Sequence, residues 1–148
     1  MKLRPAIPTD GETMAQVHAT AFASSWSAED ILRFAKEPGG FALVAETAAG
    51  MAGFILCRVM AGEAEILTLA VRPRSRRRGI ARSLVETALA LAAQTAGAML
   101  LEVADDNPGA LALSARIGFK TVGRRAGYYA RSGVASVDAV VMRRALNS

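Results

Sequence analysis

Between Glu63 and Ala92 the chain passes from a strand to a helix through a turn that carries five arginines in the seven positions 72–78. The run Glu63 to Val71 is strand-like, and Pro73 stops it. Apolar residues return at Ile80, Leu84, Val85, Ala88, Leu89 and Ala92, the spacing of one helical face. The first N–H groups of that helix have no partner within it, and the helix dipole adds partial positive charge there. Gly79 removes a Cβ and Ala81 keeps one small, so a bulky anion can approach the backbone closely. Strand, arginine turn and helix together form a phosphate-binding construction. On charge alone, a solvated basic loop and a generic nucleic-acid patch are the alternatives. The Walker loop is excluded because no Gly-Lys-Ser/Thr follows, and the dinucleotide fingerprint because its three glycines are missing.

The remaining elements follow from patterning and punctuation. Lys2 to Ile7 reads as a first strand, and Thr9-Asp10-Gly11-Glu12 has capping-box spacing that opens a helix to about Phe22. Ser27 starts a second helix, which Pro38-Gly39-Gly40 stops. Phe41 to Glu46 and Met51 to Val59 are strands joined by a small turn. Met99 to Ala104 is apolar on both faces apart from Glu102, the pattern of a strand covered on both sides. Asn107 and Pro108 supply an N-cap and an N1 proline for a helix running to Ile117, with Gly118 as its C′ residue. Phe119 to Tyr129 and Val134 to Arg144 are the last strands. The order β-α-α-β-β-β-α-β-α-β-β implies an α/β fold with a mixed sheet and helices on both sides.

At 148 residues, with neither linker, repeat nor composition break, residues 1–148 read as one domain. With 52% apolar residues the chain builds its core without a staple. Cys57 and His18 are the only residues of their kinds, which excludes a disulfide framework and an ordinary His/Cys zinc site, so no metal is expected. Cys57 reads as buried packing, and His18 as a surface or capping residue. No signal-peptide core is visible, and the longest uncharged stretch, Thr87 to Leu101, falls short of the ~20 residues of a membrane span. A cytoplasmic protein without membrane attachment is the expectation. The net charge of +5 is gathered at one turn, and only 5% of residues are aromatic, which argues against a nucleic-acid face.

Glu102 interrupts the apolar strand. A buried, unpaired carboxylate is costly, so either chemistry or a partner keeps it there. As a general base it would be buried; otherwise it points into water at the sheet end or pairs with an arginine. Residues 107, 111 and 114 share a helix face. Tyr128 and Tyr129 are the chain's only tyrosines, and adjacent strand residues face opposite ways, so at most one faces a groove. Trp26 reads as core or groove wall.

Arg76-Arg77-Arg78-Gly79-Ile80-Ala81 matches the (Gln/Arg)-x-x-Gly-x-(Gly/Ala) motif of the GNAT superfamily of acyl-CoA-dependent N-acyltransferases, and the element order resembles the GNAT fold. Further matches to the RimI-type ribosomal-protein-alanine N-acetyltransferases run along the chain. They include Phe22, Trp26-Ser27, Glu63, Leu67 to Val71, Glu102, Asn107, Gly118-Phe119, Gly127-Tyr128-Tyr129 and Val137-Asp138-Ala139.

The resemblance implies acetyl-CoA as cosubstrate, its pyrophosphate on the backbone of Arg76, Arg77, Arg78, Gly79, Ile80 and Ala81, and its pantetheine arm at Asn107. Backbone N–H groups of Leu69, Ala70 and Val71 would serve as oxyanion support. Glu102 would be the base on the α-ammonium of an acceptor protein's N-terminus, a ribosomal protein among the candidates, with Trp26, Tyr128 and Tyr129 around that acceptor. The family places a tyrosine, as acid for the departing thiolate, where this chain has Ser114. Serine is a poor acid, so Ser114 would serve as a hydrogen-bond donor or hold water, or a tyrosine of the 128–129 pair, Tyr128 first, would supply the proton. The rival expectations are a GNAT enzyme acting on a small amine and a catalytically weakened acyl-CoA-binding module.

Overall fold

The computed structural model describes residues 1–131, 133 and 135–146. Seven strands form one mixed sheet: β1 (Lys2–Pro5), β2 (Gly40–Thr47), β3 (Gly50–Met60), β4 (Glu63–Val71), β5 (Ala98–Ala104), β6 (Lys120–Tyr129) and β7 (Val137–Ala145), in the spatial order β1-β2-β3-β4-β5-β7-β6. The helices are α1 (Gly11–Ala21), α2 (Ala28–Lys36), α3 (Ile80–Ala92) and α4 (Pro108–Arg116). The expected element order is borne out. The reading of Val134 as the start of the last strand lies outside the described residues.

The uninterrupted apolar run of β3 is explained by cover on both faces. Phe54 and Leu56 enter a cluster with Met14 and Val17 of α1, Ile31 of α2 and Val44 of β2. Ile55 and Cys57 face the other way, into a larger cluster built on Ile80, Leu84, Val85, Ala88 and Leu89 of α3, with Met99, Ile117 and Phe119. Cys57 is fully buried, and burial pushes its thiol pKa far up, so it is a packing residue.

Local signals explain most element ends. Ser27 Oγ accepts from the Asp30 N–H at 3.1 Å and Asn107 Oδ1 from the Ala110 N–H at 3.2 Å, so both serve as N-caps. Gly118, with φ of +101°, ends α4 in the left-handed region. The capping box at Thr9 is not formed. Thr9 sits in a 3₁₀ turn, Pro8–Asp10, and α1 begins at Gly11. Asp10 is drawn instead to Arg4, which it pairs with through both carboxylate oxygens at 2.8 Å, and to the Ile7 N–H at 2.7 Å. Arg4 also pairs with Glu46 of β2, so this network ties the entry of α1 to the sheet edge.

Two ladders matter for function. β4 runs parallel to β5, but their pairing is confined to Glu63, Ala64 and Glu65 against Ala98, Met99 and Leu100. On the other edge of β4, Leu56 pairs with Thr68 and Cys57 with Ile66, leaving Leu67 as the extra residue of a β-bulge. Beyond it β4 and β5 part, while β5 stays paired with β7 from Ala98 to Ala104. The sheet therefore opens into a cleft between the carboxyl halves of two central strands. Leu84, fully buried under α3, holds the helix to this sheet. Leu84→Ala is expected to cost about 2–5 kcal/mol, read as a lowered midpoint in urea unfolding; a midpoint unchanged from the parent would contradict this packing.

Candidate active site

The cleft is floored by backbone. Arg72 N–H donates to Ala52 C=O of β3 at 2.8 Å. Strand alternation turns the Ala70 N–H the same way, and those of Leu69 and Val71 toward β5. Of the three expected donors, Leu69 and Val71 thus address the cleft, while Ala70 belongs to the β3 ladder.

At the mouth of β4 the chain makes a 3₁₀ turn, Pro73–Ser75, then passes through Arg77 at φ +65° and Gly79 at φ +75° into α3. Two left-handed residues so close together coil the turn tightly. The N–H groups of Ile80, Ala81 and Arg82 precede the first bond of the helix, Ser83 N–H to Gly79 C=O at 3.0 Å, and so point out of its end. A Cβ placed on Gly79 would meet nothing within 4 Å, so the space in front of this backbone is open. Arg76 turns back, its Nε donating to Val71 C=O at 3.2 Å, which pins the turn to the end of β4. Arg74, Arg77 and Arg78 are exposed. The construction has donors, positive potential and room for a diphosphate.

Glu102 lies on β5 opposite Val141 of β7, with its side chain 26% exposed. It is half-buried and paired: Arg125 of β6 reaches Oε1 at 2.8 Å. Of the alternatives left open by the sequence, the structure shows the carboxylate paired with an arginine. The register brings them together, because Glu102 pairs with Val141 and Arg125 with Ala139, one β7 alternation apart.

Two more arginines close the same end. Arg124 meets Asp105 at 3.0 Å and Asp138 at 3.6 Å, and Arg131 grips Asp106 with two bonds of 2.9 Å. Together they clasp the β6–β7 hairpin to the turn after β5. These partners were not singled out from the sequence. The visible signal was the Arg124-Arg125 pair, but only non-local register says which carboxylates it meets.

Between Arg125 and Tyr129, β6 advances four residues while β7 advances from Ala139 to Val137. Gly127, at φ +61°, donates its N–H to Asp138 Oδ1 at 2.9 Å inside this irregularity. Strict alternation is lost, so Tyr128 and Tyr129 do not point to opposite faces: their rings meet edge-on at 5.1 Å. Tyr128 is 53% exposed, with Arg125 over its ring at 5.4 Å. Tyr129 is half-buried, and its hydroxyl pKa is raised by burial and then by the charge of Glu102. Of the two, Tyr129 is the tyrosine that senses the candidate base.

Ser114 is buried on the inner side of α4, while Ala112, Ala115 and Arg116 are exposed. Asn107 is exposed at the head of the same helix. Trp26 packs at the rim of the α1–α2 cluster, 5.4 Å from Phe34. His18 is corrected outright. It is 2% exposed, its Nε2 lies 3.0 Å from Thr68 Oγ1, and its Nδ1 accepts the Trp26 N–H at 3.2 Å.

Residues 11–119 match the Acetyltransferase (GNAT) family. The chain belongs to the GNAT family. The GNAT chain is 42% identical over 99 residues, 66% of its length, to the N-alpha-acetyltransferase RimI of Mycobacterium tuberculosis. It is 41% identical over 104 residues, 70% of its length, to an uncharacterized Mycobacterium leprae protein. These matches span 60% and 28% of the two relatives' own lengths. The crystal structure of the ribosomal-protein-S18-alanine N-acetyltransferase from Escherichia coli superposes with a TM-score of 0.92 at 24% identity, covering 99% of this chain and 94% of that one. Arabidopsis thaliana NAA60 in complex with acetyl-CoA superposes at 0.86 and 21% identity, covering 99% of each chain. The fold class expected from the sequence is therefore the GNAT fold.

The open turn makes a direct test. A β-branched residue at φ +75° is strained and narrows the approach to the backbone. Gly79→Val is expected to weaken coenzyme A binding about tenfold or more, some 1.4 kcal/mol, in isothermal titration calorimetry. Undiminished affinity would remove this turn from phosphate binding.

Proposed function

We propose that the chain transfers the acetyl group of acetyl-CoA to the N-terminal α-amino group of a protein, with a ribosomal protein as the acceptor class and the cytoplasm as the site of action. The observation that carries this reading is the placement of Glu102: a half-buried carboxylate on β5, at the cleft where β4 and β5 part, beside Tyr129. Family membership and the likeness to RimI support it.

Acetyl-CoA supplies an activated thioester, and the chain's own groups do the rest. The backbone of Arg76, Arg77, Arg78, Gly79, Ile80 and Ala81 holds the pyrophosphate, with Asn107 and Ser114 along the pantetheine arm. The Leu69 and Val71 N–H groups face the cleft as donors to a developing oxyanion. Glu102 takes a proton from the attacking α-ammonium, whose ordinary pKa of ~7.7–8.0 asks for modest help. Tyr129, with Tyr128 beside it and Trp26 across the groove, bounds the acceptor. Ser114 cannot serve as a phenol would, so the departing thiolate takes its proton from Tyr129 or from water at Ser114. A thiol of pKa about 8.5 makes a tolerable leaving group.

The Arg125–Glu102 pair and the serine at position 114 favour a second reading, an acyl-CoA-binding module with little turnover. Mass analysis after incubation with acetyl-CoA and peptides differing at their first residue, with polyamines alongside, separates the two. Peptide acetylation is the expected result; acetylated polyamines alone would assign a small-amine acceptor, and binding without product would favour the module. Glu102→Gln is expected to lower kcat by ~10²–10⁴ with coenzyme A affinity unchanged, whereas an unaltered kcat excludes Glu102 as base.

A further inference from the structure

The chain's single histidine stands outside the machinery described so far, yet it is tied to three parts of the molecule. His18 sits on α1, fully enclosed, with its ring stacked on Phe22 at 4.4 Å and inclined to Trp26 at 5.8 Å and to Phe54 of β3 at 6.3 Å. Its two nitrogens do different work. The Trp26 N–H points at Nδ1, so that nitrogen bears a lone pair, and the ring hydrogen is on Nε2, which donates to Thr68 Oγ1. Only the neutral ring in this one tautomer makes both bonds. Thr68 is the residue after the Leu67 bulge, where β4 leaves β5.

The segment that His18 holds connects α1 to α2. Among the described residues, the Trp26 N–H to His18 is the only hydrogen bond that residues 23–26 make to the rest of the chain. We propose that His18 is a positioning residue for the acceptor: its imidazole fixes the 22–27 segment, and Trp26 with it, against β4 at the start of the cleft, so that acceptor binding depends on it while acyl chemistry does not. This deepens the acceptor assignment made above and rests on it.

Charge is the natural way to break such an anchor. A proton on Nδ1 would set two N–H donors against each other. Burial already holds the His18 pKa below its usual 6.5, so the anchor is intact at neutral pH and is lost as pH falls through that lowered value. The groups facing the ring are the Thr68 hydroxyl, the Trp26 amide and three aromatic rings. Among the described residues, Glu12 of α1, Arg58 of β3, Glu63 and Glu65 of β4 and Arg72 make no ion pair with it.

Trp26 is the only tryptophan, so its emission reports on this anchor without any assay of activity. The wild-type protein, titrated from about pH 8 to pH 4.5, is expected to show one emission transition with its midpoint below 6.5, because an imidazolium at this distance quenches the indole. His18→Gln and His18→Phe should abolish the transition. In peptide kinetics at saturating acetyl-CoA, His18→Phe is expected to raise the acceptor KM about tenfold through the unpaired Trp26 N–H, with kcat and coenzyme A affinity unchanged. His18→Gln, whose amide can accept from Trp26 and donate to Thr68, should restore KM. An emission without the transition overturns the anchor, and needs no variant to fold. A fall in kcat with KM intact, or a phenylalanine variant with wild-type KM, overturns the positioning role. A wild type that acetylates no peptide overturns the acceptor assignment and His18's part in it, and is told apart by an emission transition that persists.

Discussion

The parallel ladder between β4 and β5 ends after Glu65 and Leu100, and the rest of the molecule is arranged around that early ending. A parallel pair leaves no free edge while it lasts. Where it stops, backbone N–H and C=O groups that would have bonded across the gap become available to something else. The Leu67 bulge produces the divergence from the β3 side, and the β5–β7 ladder keeps β5 from following. Both central strands remain paired on their outer edges. The opening is aimed at the mouth of α3, where the arginine turn and unbonded helical N–H groups lie.

Elements bounded by local chemistry were readable in the sequence because their causes are local. Ser27 and Asn107 cap the helices that follow them, Gly118 ends α4, and the apolar periodicity of α3 maps onto the residues that bury. Thr9 failed because nearby Arg4, itself held by Glu46 across the sheet, and the Ile7 amide claim the neighbouring Asp10 and shift the helix start. His18 failed for a non-local reason. A lone histidine on an amphipathic helix carries no sign of its partner, and Thr68 is fifty residues away across the core. At the candidate site the strand–turn–helix passage through Arg76 to Ala81 was legible, since a glycine before the helix supplies the left-handed residue that the junction needs. The orientation of Tyr128 and Tyr129 was not. It depends on a slip in the β6–β7 register, held by Gly127 and Asp138, that breaks the period of two on which the expectation rested.

Electrostatics organises the far side of the cleft. The arginines of the β6 hairpin meet carboxylates that all lie on β5, on the turn after it, or on β7. Solvent screens such pairs at exposed positions, and each is too weak to build a fold. Several pairs with fixed partners instead set where the hairpin lies, and the hairpin carries Tyr129. Long exposed strands are prone to pairing with other chains, and β6 is exposed along most of its length, so Lys120 and this row of arginines also make its edge a poor template.

The pair between Arg125 and Glu102 looks at first like an obstacle to the base role proposed for Glu102, because the guanidinium occupies an oxygen that would receive the proton. The geometry argues otherwise. Arg125 is 58% exposed and also rests on the ring of Tyr128, so it has a second place to lie when it leaves the carboxylate. An arriving ammonium offers Glu102 a replacement cation of the same charge, so the exchange leaves no bare ion in a half-buried site, where an unpaired charge is costly. A neutral ligand offers no such replacement and would have to separate the pair outright. The arginine thus keeps the carboxylate ion-paired while the cleft is empty, and it would yield more readily to an amine that arrives charged than to one that arrives neutral. That preference would suit the proposed α-amino acceptor near neutral pH, where much of such a group is protonated.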